Sequence, residues 1–90
     1  MKDLELYSNP SLVLEAGHNM GYIIAVSTRK DKKYMILRPD WKWVHFGQMG
    51  YADYTKHNDE KRRDSFWKRN WRWASADRYS PAYLSFHLLW

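Results

Sequence analysis

Residues 21–46, GYIIAVSTRKDKKYMILRPDWKWVHF, decide the fold. Tyr22-Ile23-Ile24-Ala25-Val26 is rich in β-branched and aromatic side chains and too short for a convincing helix, so it reads as a strand. The run Arg29-Lys30-Asp31-Lys32-Lys33 breaks it as a charged, solvated hairpin turn. Tyr34-Met35-Ile36-Leu37 reads as a second strand, stopped at Arg38-Pro39-Asp40 because Pro39 has no N–H to give to a ladder. A third strand is expected from Trp41 to Phe46. Its alternation puts Trp41, Trp43 and His45 on one face and Lys42, Val44 and Phe46 on the other. Three such strands joined by short turns make an antiparallel meander. One face must pack on a helix, leaving the other partly exposed.

Working outward, Gly47-Gln48-Met49-Gly50 reads as a turn whose two glycines permit positive φ. Asn58 is the expected N-cap of a helix running from Asp59 to about Trp71, with Asp59 and Glu60 in the first turn, where the helix dipole favours carboxylates. Asp64 and Lys68 stand four apart on it in the favourable acid-first order. A last helix begins with Ser80 as N-cap and Pro81 at the first position, and Leu84 and Leu88 form its buried stripe. Upstream, Asn9 and Pro10 mark a helix start, and Gly17 would close one short turn through Leu12, Val13 and Leu14, unless those three form a short strand. The fold class expected is α+β: a small three-stranded antiparallel meander packed against one or two C-terminal helices. Residues 21–90 are expected to be a single domain, and residues 1–20 an N-terminal arm or short helix.

Composition narrows the function. The chain has 90 residues, 15 Lys plus Arg against 10 Asp plus Glu, a net charge of +5 and no cysteine. Disulfides, thiol nucleophiles and cysteine-based zinc sites are thereby excluded. No apolar run is long enough to span a membrane, and Met1-Lys2-Asp3-Leu4-Glu5 places acids where a secretory leader needs apolar residues. The expected location is intracellular, not secreted. The six Trp, seven Tyr and three Phe are the anomaly, and every Trp (41, 43, 67, 71, 73 and 90) lies in the second half. A chain this short buries only about 60–65% of its unfolded surface. It owns more rings than its interior can enclose. Surplus rings on a basic surface suit a protein interface or nucleic-acid bases.

Gly50-Tyr-Ala-Asp-Tyr-Thr-Lys-His-Asn-Asp59 is the densest polar block. Asp53, His57 and Asp59 are the residue types that bind Mg or Mn in a metal-dependent nuclease. The stronger reading is structural. Gly47, Gly50, Asp53, Thr55, His57, Asn58 and Asp59 look like loop hydrogen bonding and helix capping, with Arg62 or Arg63 near enough in sequence to pair with Asp53 or Asp59. Accordingly no catalytic residue, metal or cofactor is assigned. His57-Asn58 alone is not an HNH signature, and neither His45 nor His87 has a second His at i+3 or i+4. Neither a P-loop nor a Gly-x-Gly-x-x-Gly run is present.

The basic helix carries more. From Lys61 to Arg78 there are seven Lys or Arg and two acids, and Arg63, Trp67 and Trp71 recur at i,i+4 spacing. Guanidinium beside indole suits a polyanion or an interface, while the charges alone fit a solvated face equally well. The candidate partner-binding residues are Trp41, Trp43, Arg62, Arg63, Trp67, Lys68, Arg69, Trp71, Arg72 and Trp73.

From Lys32-Lys33-Tyr34-Met35, through Val44-His45-Phe46-Gly47-Gln48-Met49-Gly50-Tyr51-Ala52-Asp53-Tyr54-Thr55-Lys56-His57-Asn58-Asp59, Arg62, Arg63 and Arg69, to Ala82-Tyr83-Leu84-Ser85-Phe86-His87-Leu88-Leu89-Trp90, the chain resembles a family of short proteins of unknown function encoded by large double-stranded DNA viruses of algae and protists. It departs from that pattern at Asn70, where the family often has His, and at Trp71-Arg72-Trp73. The resemblance implies a viral origin and no activity. The function expected is a non-enzymatic viral binding protein, a minor capsid or cement subunit docking on other viral structural proteins in the virion or infected cell. The alternative is a DNA- or RNA-binding module in which Arg62, Arg63, Lys68, Arg69 and Arg72 meet phosphates and Trp41, Trp43 or Trp71 stack on bases. A metal-dependent nuclease comes third.

Overall fold

Hydrophobic alternation sets the register of the sheet. In the computed structural model, which describes residues 2–90, β1 (Ile24–Val26), β2 (Lys32–Leu37) and β3 (Trp43–Gln48) pair antiparallel in sequence order. Ile24 faces Ile36, Val26 faces Tyr34, and Tyr34 and Ile36 face Phe46 and Val44 in turn. Ile24, Tyr34, Ile36 and Phe46 are all buried, so this set is the core face. Met35 opposite His45, and Leu37 opposite Trp43, lie on the other face, and these four stay half-buried to exposed.

Helices cover the core face. After a short α1 (Lys2–Glu5), α2 (Pro10–Asn19) packs on β1, and α5 (Pro81–Leu84), prolonged by a π turn over Ser85–Leu89, packs on β3. Leu4, Val13, Tyr22, Leu84, Leu88 and Leu89 complete the core. The start signals work as expected: Asn9 Oδ1 accepts from Leu12 N–H, Ser80 Oγ accepts from Tyr83 N–H, and a proline follows each cap. The fold is α+β, a three-stranded antiparallel sheet followed by C-terminal helices.

Several boundaries differ from the sequence reading, each for a physical reason. Trp41 is not in a strand. Its φ of 66° places it in the β2–β3 turn, where its N–H donates to Arg38 O, and β3 begins only at Trp43. At the other end the ladder runs further than expected: Lys32 pairs with Gln48, so Lys32 and Lys33 belong to β2, and Gly47 and Gln48 to β3. The turn is left to Met49 and Gly50. Helix α2 does not stop at Gly17 but passes through it to Asn19; the glycine serves packing, since a Cβ there would sit 2.7 Å from Ile24 Cδ1. Only glycine lets α2 lie that close to β1.

Asn58 does not cap the long helix either. It is the left-handed C-cap, φ 53°, of a short helix α3 (Tyr54–His57). The long helix α4 (Glu60–Asn70) is capped by Asp59, whose Oδ1 accepts from Lys61 and Arg62 N–H. Asn tolerates positive φ and Asp carries the charge the dipole favours, so the two adjacent residues divide the tasks. Asp64 and Lys68 form no ion pair; among the described residues ion pairs join Arg29 to Asp31, Lys33 to Asp53, and Arg38 to Asp40.

Gly47 and Gly50 both have positive φ, but a Cβ on Gly47 would also lie 2.9 Å from Leu89 Cδ1 and 3.2 Å from Lys33 Cβ, whereas Gly50 has open space. Gly50→Ala should therefore cost only the backbone penalty, about 1–2 kcal/mol. Gly47→Ala should cost at least about 1 kcal/mol more through overpacking. Urea unfolding of the two variants measures the difference.

Candidate functional site

The polar block after β3 is organised by a partner that local spacing does not suggest. Asp53 pairs with Lys33, not with Arg62 or Arg63: Nζ lies 3.1 Å from Asp53 Oδ2, with both side chains almost fully buried. The ammonium also donates to the carbonyls of Tyr51 and Tyr7, at 2.6 and 3.3 Å. Thr55 Oγ1–H donates to Asp53 Oδ1, and Thr55 Oγ1 itself accepts from Asn9 N–H. Tyr34 donates to Ser8 Oγ, which lies against Thr55. Burial pulls the Lys33 ammonium below the usual lysine range, with the Asp53 charge opposing it, and pushes the Tyr34 phenol up. The sequence position of Lys33 suggests a solvated turn, yet Lys33 is the buried centre of this block. Its place in a run of charges hid it.

The other two members of the block are committed elsewhere. Asp59 caps α4, and His57 Nδ1 accepts from Asp59 N–H at 2.9 Å. The His57 ring rests against Trp90, centroids 5.1 Å apart, and burial first, then the Arg62 charge, lower its pKa. Asp53, His57 and Asp59 are thus brought near one another in sequence but not around one ion. Among the described residues no three His or carboxylate side chains are grouped to hold a metal. His45 meets Ser27 Oγ at 2.7 Å, and His87 Nε2 lies 3.0 Å from Ala74 O.

The candidate partner residues fall in two places. Trp41 and Trp43, 79% and 44% exposed, stand at the hairpin end of β3. The rest lie on α4 and the following 3₁₀ turn (Trp71–Ser75). This second group adjoins the Gly47–Gln48 end of the strand, where Trp73 and Gly47 line one cleft. At about 3.3 Å per residue, the length of β3 separates the groups by roughly 15 Å. Helix α4 has no buried residue. It is held by Phe66, stacked on Trp90 at 4.5 Å and meeting Trp73 edge-on, and by Arg63, whose guanidinium sits between the Tyr54 and Trp67 rings at 4.2 and 4.6 Å. Arg63 is therefore a clamp inside the molecule. Trp67 also stacks on Phe86, whereas Trp71 is 64% exposed and carries Arg72 over its ring at 5.4 Å. Arg62, Lys68, Arg69 and Arg72 are exposed and outside the ion pairs named above.

Residues 22–70, the meander, the polar block and α4, match the model of a family of unknown function (DUF5754). The chain belongs to that family. The matched span begins ahead of Lys32 and ends before Ala82–Trp90, so the family's common element joins the sheet to the basic helix. No curated protein and no solved structure matches the chain.

Removing one member of the buried pair leaves the other charge uncompensated, so Asp53→Ala should cost about 3–5 kcal/mol, and Lys33→Met combined with Asp53→Leu less than that. Chemical denaturation of the three proteins tests this. His57 and His45 bind a proton more weakly when folded than at their ordinary value of 6.5. Below that pH the unfolded chain takes up more protons, so stability should fall as pH drops from about 6.5 through the depressed pKa values. Proton titrations of both imidazoles by NMR should return values below that of a free histidine.

Proposed function

We propose that this protein is a non-enzymatic binding module of viral origin. In its most concrete form it is a virion-associated minor capsid or cement subunit that docks on larger shell proteins. The observation that carries the reading is ring exposure: Trp41, Trp43, Trp67, Trp71 and Trp73 are each at least 36% exposed, while the core holds ten apolar residues among those described. Exposed indoles rimmed by Arg are the side chains that dominate protein interfaces once desolvated, while the surrounding charge sets register. Trp41 adds a second argument. A bulky residue at positive φ is a backbone outlier, and this one turns its ring outward instead of into the core.

A second reading is favoured by a separate observation. Lys61, Arg62, Lys68, Arg69 and Arg72 are exposed on α4 and the 3₁₀ turn and make no ion pair with an acid. That face suits a polyanion.

Mass spectrometry of purified particles should find the chain at stoichiometric amounts; absence from particles overturns the shell role. Against the isolated shell protein, Trp41→Ala and Trp71→Ala should each weaken docking at least about tenfold, as hot-spot indoles do, with an unchanged melting temperature because both rings are exposed. Docking held by buried indoles should vary little with salt, whereas nucleic-acid binding should weaken steeply.

A further inference from the structure

One groove on this molecule has an aromatic half and a cationic half. The first is a cavity of about 470 Å³ between the end of β3, the Tyr51–Ala52 loop, the 3₁₀ turn and the C-terminal π turn. Its walls include the rings of Tyr51, Trp73 and Trp90, and the Gln48 amide and Ser85 hydroxyl stand among them. The second half, about 340 Å³, shares Tyr51, Ala52 and Trp90 with the first and is bounded by Lys61, Arg62 and Arg69. No acidic side chain lines either half. Asp53, next in the chain to Ala52 of the wall, is paired with Lys33.

Three features select the ligand. Residues 61, 62, 65 and 69 recur at the i, i+3/i+4, i+7/i+8 spacing that puts them on one face of α4, so three like charges line one cleft, and none of them joins an ion pair among the described residues. An anion there would complement them. The adjoining walls are planar and aromatic, which suits a flat ring over a flexible acyl chain. Polar groups among those walls can donate to and accept from the edge of a heterocycle. The volume is within the range of small-molecule sites.

We infer that this groove binds one nucleotide unit, the base between Tyr51 and Trp73 and the phosphate at Lys61, Arg62 and Arg69. The unit is either a free nucleotide or one residue of a single-stranded nucleic acid. The inference rests on the polyanion reading above; it shares Trp73 with the shell-docking reading, whose tests use Trp41 and Trp71 outside this groove.

The test titrates the full chain, followed by tryptophan fluorescence, with oligothymidylate, thymidine 5′-monophosphate and inorganic phosphate. Oligothymidylate should bind, with log K falling against log salt at a slope of about −0.7 for the one phosphate neutralised on a single strand. Tyr51→Ala, Arg62→Ala and Arg69→Ala should each weaken it at least about fivefold, the lower end of what loss of one base stack costs. Tyr51, Arg62 and Arg69 are exposed, so melting temperatures should not move, and Trp73→Phe should retain most of the binding. Monophosphate binding comparable to the oligomer identifies a free nucleotide as the ligand; binding of the oligomer alone identifies a single strand. Oligomer binding untouched by the three variants overturns this site while leaving the polyanion reading standing. Failure of both nucleotides to bind overturns both. Competition by inorganic phosphate as effective as that by the monophosphate overturns the base cavity.

Discussion

The buried Lys33–Asp53 pair is the constraint on which the rest of the structure depends, because it ties together three stretches that local structure would leave independent. Withdrawing two ions from water costs several kcal/mol each, and Coulomb attraction alone offsets this only when the remaining hydrogen-bonding capacity is filled. Here it is filled. The ammonium has one acceptor for each of its three protons: Asp53 Oδ2 and the carbonyls of Tyr51 and Tyr7. The second carboxylate oxygen is taken by Thr55, and Thr55 in turn receives Asn9 N–H at the cap of α2. The N-terminal segment, the second strand and the loop after the third therefore meet at one dry polar centre, and Leu4 and Val13 follow it into the core. A set of polar groups this well satisfied specifies one arrangement, since shifting any of the three segments would strand a buried charge.

That anchorage explains how an almost uncovered helix can hold its place. Helix α4 contributes nothing to the core, yet it leaves a loop pinned by Asp53 and is clamped again by Arg63 between two rings and by Phe66 on Trp90. The charges have sorted accordingly. The ions that pair are in the interior or in the turns flanking β2, and the densest group of the remaining cations lies on α4 and the 3₁₀ turn. Indoles follow a similar division, some wedged against Phe66 and Phe86, others standing free at the β2–β3 turn and on Trp71. A small chain that keeps its free cations and free rings on surfaces its own core does not need has the means to hold a partner without disturbing its fold.

Much of this was readable in residue order, and what was not readable has a common cause. Strand existence, the apolar faces of β1 to β3, the caps at Asn9 and Ser80 and the Leu84–Leu88 stripe all rest on periodicity and on hydrogen bonds spanning three or four residues, which spacing encodes directly. The errors cluster where a competing contact comes from far along the chain. Lys33 sits in a run of charges that is solvated in most proteins, and Asp53, twenty residues on, together with the Tyr7 and Tyr51 carbonyls, makes its burial tolerable. Gly17 looks like a helix stop until Ile24 is placed against it. Asn58 and Asp59 are both good N-cap residues, and the choice between them depended on a short helix that no periodic pattern announced.

Chain order by itself determined the α+β class, the meander, the excess of rings over interior and the basic character of the segment after Asp59, because composition and short-range pattern are enough for each. Tertiary structure alone decided which charges are spent and which remain free, which of the arginines is locked between rings, and that Trp41 and Trp43 stand at one end of β3 while the basic cleft opens at the other. Those outcomes turn on desolvation, and the water a side chain loses is set by neighbours that arrive from distant parts of the sequence.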